Sequence, residues 1–104
     1  MDFPIKGGVG VVTGAASGIG AALAVKLAAR GMHLALADRN AEGLAASAAA
    51  ARALGVSVSE HVLDVRDTEA LEALPEAVLA AHGRVSLLVN NAGVALMGSF
   101  EVVY

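Results

Sequence analysis

The chain has 104 residues, 57% hydrophobic and 16% charged, and this composition predicts one folded domain over residues 1–104. It contains no cysteine, which excludes disulfides and thiolate metal sites, and a net charge of −3 with only seven Lys and Arg argues against a nucleic-acid partner. We find neither a signal-peptide pattern nor an apolar run of the ~18 residues that cross a membrane, so we expect a cytoplasmic protein without a membrane partner.

Apolar runs that predict buried strands alternate with runs that predict helices. The predicted strands are residues 9–13, 33–37, 56–63 and 85–89, and the predicted helices between them are residues 19–30, 41–54 and 68–82. Asn40 and Asp67 are the predicted N-caps of the second and third helices. The alternation implies right-handed βαβ crossovers and a parallel sheet with helices on both faces, so the predicted fold class is α/β.

Pro75 conflicts with the third predicted helix, because it falls in the interior of that helix. Proline has no backbone N–H to donate, and its ring clashes with the preceding helical turn. We therefore expect either a kink at this position or a break into two shorter helices.

A glycine-rich turn, residues 13–20, joins the first strand to the first helix. Amides at a helix start have no partner within the helix, and the helix dipole favours negative charge there, so this turn predicts a phosphate site. Gly14 suits a sharp turn, Gly18 suits a close approach of pyrophosphate, and Gly20 suits close packing of the helix on the sheet. The pattern G-x-G-x-x-G is not matched, so the turn taken alone is also consistent with a helix cap and close packing.

Polar residues stand where the predicted strands end. Asp38 lies 18 residues after Gly20 and suits acceptance of both hydroxyl hydrogens of an adenosine ribose, which favours NAD because a carboxylate repels a 2′-phosphate. Arg39 keeps NADP open, since a guanidinium can pair with that phosphate. Asp64 and Asn90 end the next two strands, and parallel strands bring such ends to one edge of the sheet. Taken singly, Asp38 is as well explained as a turn residue and Asp64 as a loop or cap, but the series predicts a ligand groove.

These features resemble, in order and spacing, the family of short-chain dehydrogenases/reductases. The segments that carry the resemblance are Thr13-Gly14-x-x-x-Gly18-Ile19-Gly20, Asp38, Asp64-Val65 and Asn90-Asn91-Ala92-Gly93. The resemblance implies a three-layer Rossmann-type fold with strand order 3-2-1-4, truncated after about the fourth strand. It implies a nicotinamide dinucleotide as partner, with NAD favoured and NADP less so.

The resemblance also implies a role for each matching residue. Residues 14–20 would hold the pyrophosphate, Asp38 the adenosine ribose, and Asp64 with the Val65 backbone the adenine. Asn90 and its neighbours would support the central strands and contact the cofactor ribose. The implied cofactor-binding set is Gly14, Ser17, Gly18, Ile19, Gly20, Asp38, Arg39, Asp64, Val65, Asn90, Ala92 and Gly93.

The family's catalytic residues are an Asn, a Ser and a Tyr-x-x-x-Lys motif that follow the Asn-Asn-Ala-Gly segment. No lysine follows residue 93, so Tyr104 does not begin that motif here, and we expect no catalytic residue in this chain. The chain resembles the N-terminal, cofactor-binding half of an enzyme that transfers hydride between nicotinamide and a small alcohol or carbonyl compound. By itself it is expected to be inactive.

Two alternatives stay open at the level of sequence. The first is a non-catalytic nucleotide-binding or oligomerisation module, because a fourth strand with an uncovered edge invites self-association. The second, less favoured, is a similar domain for flavin or S-adenosylmethionine.

The remaining polar candidates carry weak signals. His33, His61 and His82 lie far apart in the sequence without metal-ligand spacing, so we expect structural or capping roles and no metal site. Ser86 stands where the family often has an acidic residue before the fourth strand, and we interpret it as a capping residue.

Overall fold

The strands form one sheet with helices on both faces in a computed structural model, which describes residues 6–90 and 93–96, without the side chains of residues 90 and 93–96. The elements are β1 (Val9–Thr13), α1 (Gly18–Ala29), β2 (His33–Asp38), α2 (Ala41–Arg52), β3 (Val58–Val62), α3 (Thr68–His82), β4 (Leu87–Asn90) and β5 (Gly93–Leu96). The strand order is β3-β2-β1-β4-β5, and β1 to β4 are parallel. The α/β class and the order 3-2-1-4 are therefore confirmed.

Helices α1 and α2 cover one face of the sheet with small aliphatic side chains. Ala24 and Ala28 of α1 and Ala48 of α2 are fully or almost fully buried against the strands. Met32 is also fully buried, and a Cβ at Gly10 would lie 2.8 Å from its sulfur. The glycine in β1 thus leaves room for the methionine that packs under α1 and α2.

Helix α3 covers the opposite face. Leu74 and Val78 pack against Val9, Val11 and Ala35, which alternate along their strands with residues that face α1 and α2. A central strand that is apolar on both faces reads as a continuous apolar run, which is why β1 shows no polar alternation.

The two predicted helix N-caps are confirmed. The Asn40 side chain accepts a hydrogen bond from the Gly43 amide at 3.1 Å, and that of Asp67 accepts one from the Ala70 amide at 3.2 Å. Gly83 ends α3 with φ of +83°, a left-handed conformation that glycine adopts without strain. In the described part of the chain, no helix combines the length and the apolar character needed to cross a membrane.

Of the two outcomes expected at Pro75, the break into two helices is wrong, because α3 runs unbroken from Thr68 to His82, and the kink stays a prediction. Pro75 lies on the exposed side of the helix, as does Leu71, whose carbonyl would receive the missing hydrogen bond. Water can reach a carbonyl on that side, and Leu74 and Val78 hold the helix on the sheet.

The predicted uncovered edge of the fourth strand is also wrong, because β5 pairs with β4 in antiparallel orientation. Gly93 lies opposite Asn90, and only two residues separate the strands in sequence. The unpaired backbone groups of β4 thus find partners in the nearest chain segment. Ser86, just before β4, bonds to the first residue of β1: its hydroxyl accepts from the Val9 amide at 3.2 Å, and its amide donates to the Val9 carbonyl at 2.8 Å.

Candidate functional site

The turn between β1 and α1 closes on itself through Ser17. The Gly14 carbonyl accepts from the Ser17 amide at 3.2 Å and from the Ser17 hydroxyl at 2.7 Å. Gly14 has φ of +67°, which a side chain would strain, so the turn needs glycine there. Because the hydroxyl bends back to Gly14, it makes no capping hydrogen bond to α1.

The first backbone amides of α1 have no hydrogen-bond acceptor among the described residues. Among the described residues, Ala21 is the first in α1 whose amide has a backbone acceptor, the Ser17 carbonyl at 2.7 Å. Gly18 and Ile19 before it are exposed, and the first turn of the helix holds no acidic side chain. Unpaired amides at the positive end of a helix dipole form an anion site.

Gly18 and Gly20 have opposite surroundings. A Cβ at Gly20 would collide with the Gly14 carbonyl oxygen and lie 3.1 Å from the Ala15 Cα, so the close packing at Gly20 is against the turn rather than against a strand of the sheet. A Cβ at Gly18 would have no atom within 4 Å. The fold therefore does not require glycine at position 18, and the open space above it suits the approach of a phosphate.

Asp38, at the end of β2, ties the turn to the sheet. One carboxylate oxygen accepts from the Ala16 amide and the other from the Asn40 amide, each at 2.9 Å. Each carboxylate oxygen keeps a second lone pair, so the same group can still accept hydroxyl hydrogens from a ribose. This position beside the turn is the one that the sequence predicts for a ribose ligand.

Asp64, beyond the end of β3, forms an exposed ion pair with Arg66. The Asp64 carboxylate accepts from the Arg66 Nη2 at 2.7 Å and from the Arg66 amide at 2.9 Å. These hydrogen bonds, with the positive charges of Arg66 and Arg39, lower the pKa of Asp64 to about 2. The group is therefore a carboxylate at neutral pH, and Val65 beside it is 47% exposed.

The structure brings most of the predicted site residues to one edge of the sheet. The Asp38 carbonyl accepts from the Leu63 amide at 3.1 Å, which places the segment that enters Asp64 alongside β2. On the other side of β1, Val89 pairs with Val12, so the Asn90 backbone lies next to the turn. Gly93 lies on β5, and Ala92 lies outside the described residues.

Sequence reasoning missed the part that α2 plays at this edge. The Ser47 hydroxyl donates to the Ala15 carbonyl at 2.7 Å, across 32 residues. A Cβ at Gly43 would lie 2.8 Å from the Ala16 Cβ, so α2 approaches the turn closely at this point. The only local signal is a polar residue in the buried stripe of an alanine-rich helix, and that signal does not name a partner.

The three histidines, distant in sequence, lie near one another on the α3 face. The Ser59 hydroxyl is 2.8 Å from the Nε2 atoms of both His61 and His82, and His33 accepts from the Ser57 amide at 3.0 Å. Burial lowers the pKa of His61 and that of His82, and the nearby His33 and His61 lower the pKa of His82 further. Among the described residues, no group of three or more His, Cys, Asp or Glu side chains is arranged to hold a metal ion.

The sequence matches one known protein family over most of its length. A family model described as short chain dehydrogenase matches residues 9–103. D-threitol dehydrogenase of Mycolicibacterium smegmatis is 46% identical over 97% of this chain, and the match covers 39% of that protein. The chain thus spans about two fifths of the length of this relative.

Solved structures with the same fold contain dinucleotides. A short chain dehydrogenase/reductase from Burkholderia phymatum in complex with NAD has a TM-score of 0.79 and 42% identity, over 84% of this chain and 31% of that one. L-sorbose reductase from Gluconobacter frateurii, complexed with NADPH and L-sorbose, has a TM-score of 0.80 and 40% identity, over 91% of this chain and 36% of that one. Similar structures therefore hold either dinucleotide.

Proposed function

Because the chain belongs to the short chain dehydrogenase family, we propose that it is the dinucleotide-binding part of an oxidoreductase that transfers hydride between nicotinamide and an alcohol or carbonyl carbon. The observation that carries the proposal is the turn at residues 14–20, whose helix-start amides open beside the carboxylate of Asp38. When bound, the nicotinamide ring supplies the redox chemistry, and the protein supplies position and electrostatics.

Different residues at this edge of the sheet bind different parts of the cofactor. Amides at the start of α1 hold the pyrophosphate, and the absence of a side chain at Gly18 lets it approach the backbone. Asp38 accepts the hydroxyl hydrogens of the adenosine ribose, and Asp64 with Val65 borders the adenine. Asn90 and the residues that follow it, Ala92 and Gly93, contact the second ribose.

We favour NAD over NADP because Asp38 is fixed in place. Both of its oxygens accept backbone hydrogen bonds, so turning the carboxylate away from a 2′-phosphate would break them. Of the two nearby guanidinium groups, that of Arg66 is engaged by Asp64, which leaves Arg39 as the candidate partner for such a phosphate. We expect repulsion from this fixed carboxylate to outweigh attraction to one exposed arginine.

The 104-residue chain is proposed to bind the cofactor without turning over a substrate. Its one tyrosine is Tyr104, and its two lysines, Lys6 and Lys26, precede the Asn-Asn-Ala-Gly segment. Within these 104 residues no lysine follows the tyrosine, so they do not contain the pair in which a tyrosine moves the substrate proton and a lysine lowers its pKa.

Calorimetric titration of the chain with NAD, ADP-ribose and NADP tests the proposal. We expect NAD and ADP-ribose to bind with similar affinity, since this edge holds the adenosine diphosphate portion, and NADP to bind at least tenfold more weakly. Binding of none of the three would overturn the proposed function. Equal or tighter binding of NADP would overturn the preference, and dehydrogenase activity of the purified chain would overturn the claim of inactivity.

A further inference from the structure

One peptide group of the turn, between Ala15 and Ala16, is held at both ends by side chains from other elements. Its carbonyl accepts from the Ser47 hydroxyl of α2 at 2.7 Å, and its N–H donates to the Asp38 carboxylate at 2.9 Å. Ala15 is fully buried and Ser47 is 7% exposed, so water is a poor substitute for the first of these bonds. Rotation of this peptide plane would break both hydrogen bonds together.

The Ser47 bond is not the one a helical serine usually makes. A serine inside a helix commonly bonds to a carbonyl one turn earlier in its own helix or faces solvent. Ser47 instead shares the buried stripe of α2 with Leu44, Ala48 and Ala51, and it crosses to the turn. A hydroxyl placed among these apolar side chains needs a partner, and the Ala15 carbonyl is that partner.

The orientation of this peptide matters for an anion site. The Ala15–Ala16 peptide follows directly on Gly14, whose carbonyl closes the turn onto Ser17. If the plane rotated, the Ala15 oxygen would leave the protein interior and the Ala16 amide would leave Asp38. A freed carbonyl dipole in the turn would repel a phosphate. The turn would also adopt several conformations, of which only one presents the amides of α1, so binding would have to order it.

We propose that Ser47 is a positioning residue for the dinucleotide site: with Asp38, it fixes the Ala15–Ala16 peptide and so keeps the phosphate turn in its binding conformation. The inference rests on the proposed function of the turn. It assigns a role in cofactor binding to α2, a helix that supplies none of the residues predicted to touch the cofactor.

The test compares Ser47→Ala with Ala48→Gly, a matched change at the next residue of the same helix. Ala48 is fully buried, so Ala48→Gly also loses buried contacts and helix propensity, but it leaves the hydrogen bond to Ala15 intact. Three quantities are measured on each variant: the thermal midpoint, the hydrogen-exchange rate of the Ala16 amide without nucleotide, and the Kd for NAD. Ser47→Cys, with a similar volume and a weaker donor, replaces Ser47→Ala if that variant does not fold.

We expect both variants to lower the thermal midpoint, and only Ser47→Ala to speed exchange of the Ala16 amide and raise the Kd for NAD about tenfold, the factor for one hydrogen bond. If Ser47→Ala and Ala48→Gly change the Kd equally, Ser47 is merely structural and the inference is overturned. If the unaltered chain binds no NAD, the proposed function has failed. The exchange rate of the Ala16 amide is then the only measurement that tests whether Ser47 fixes the Ala15–Ala16 peptide. An unchanged exchange rate then overturns its positioning role.

Discussion

The absence of a side chain at Gly20 allows α1 to pack closely against the turn that precedes it. A Cβ there would strike the Gly14 carbonyl oxygen, which already accepts two hydrogen bonds from Ser17. We expect Gly20→Ala to lower the free energy of unfolding by about 1–3 kcal/mol, the usual cost of overpacking a buried site. Thermal unfolding followed by circular dichroism measures the effect, at roughly 4–8 °C per kcal/mol for a chain of this size.

Gly18→Ala is the matched control, because a Cβ at Gly18 meets no atom within 4 Å. We expect its stability to change by no more than about 0.5 kcal/mol, as for most surface substitutions. The added methyl group would nevertheless stand where the pyrophosphate approaches, so the Kd for NAD should rise. An unchanged Kd for NAD in Gly18→Ala would show that the phosphate does not lie against this residue.

At the scale of residues, the sequence predicts positions better than partners. The place of Asp38 at the end of a strand follows from the apolar run before it, and its bond to the Asn40 amide is local. Its bond to the Ala16 amide spans 22 residues and depends on how β2 and the turn meet in space. The Ser47 contact with Ala15 spans 32 residues, and no local pattern predicts it.

Helix α3 tolerates a proline that weakens it. The missing amide at Pro75 leaves the Leu71 carbonyl without its helical donor, on the exposed side of the helix. We expect Pro75→Ala to raise the free energy of unfolding by about 2 kcal/mol. Alanine is favoured over proline inside a helix by ~3 kcal/mol, and up to ~1 kcal/mol of this is lost because the unfolded chain becomes more flexible without the proline. Urea unfolding measures it, and a variant no more stable than the parent would contradict this account of α3.

The contact between β3 and the end of α3 should make stability depend on pH. Burial is the main reason that the pKa values of His61 and His82 lie below the ordinary 6.5. As pH falls below about 6.5, the unfolded chain therefore binds more protons than the folded one. The free energy of unfolding should therefore decrease as pH falls through this range and level off below both folded values. Protonation of both rings also places two charges around the single Ser59 hydroxyl.

Denaturant unfolding between pH 7.5 and pH 5 checks this expectation. His61→Gln and His82→Gln, which remove one titrating ring each, should flatten the profile, whereas Lys26→Gln on α1 should leave its shape unchanged. A wild-type profile that is flat or rises toward low pH would contradict the expected protonation states.

At the scale of elements, local signals explain what the sequence predicts correctly. The two caps, Asn40 and Asp67, act within three residues of themselves, and the boundaries of the first four strands lie within two residues of the predicted ones. The outcome at Pro75 depends on which side of α3 faces solvent, and β5 depends on a neighbouring strand that needs partners. The first is a tertiary effect, which a local rule does not contain. The second is a pairing across only two intervening residues, which is local in the sequence.

At the scale of the whole molecule, the outer strands of the sheet, β3 and β5, have backbone groups that could pair with another chain. Along β3, the Ser57 carbonyl accepts from the Leu34 amide, so the Val58 carbonyl points away from β2. Arg52 of α2 donates to that outward carbonyl at 2.8 Å, and it donates to the Glu60 carboxylate at 2.9 Å. One arginine thus occupies an edge acceptor that another chain could otherwise pair with, a device that natural sheets use against association.

Arg52→Ala should therefore increase self-association through β3. The exposed ion pair with Glu60 itself contributes little to stability, so the fold should persist while the Val58 carbonyl becomes available to a second chain. Sedimentation velocity at several concentrations measures the effect, with Arg30→Ala as the control, since it removes the same charge from the exposed end of α1. If Arg52→Ala sediments like Arg30→Ala at every concentration, Arg52 does not protect the edge. If the variant associates and Glu60→Gln does not, the protection comes from the bond to the backbone rather than from the ion pair.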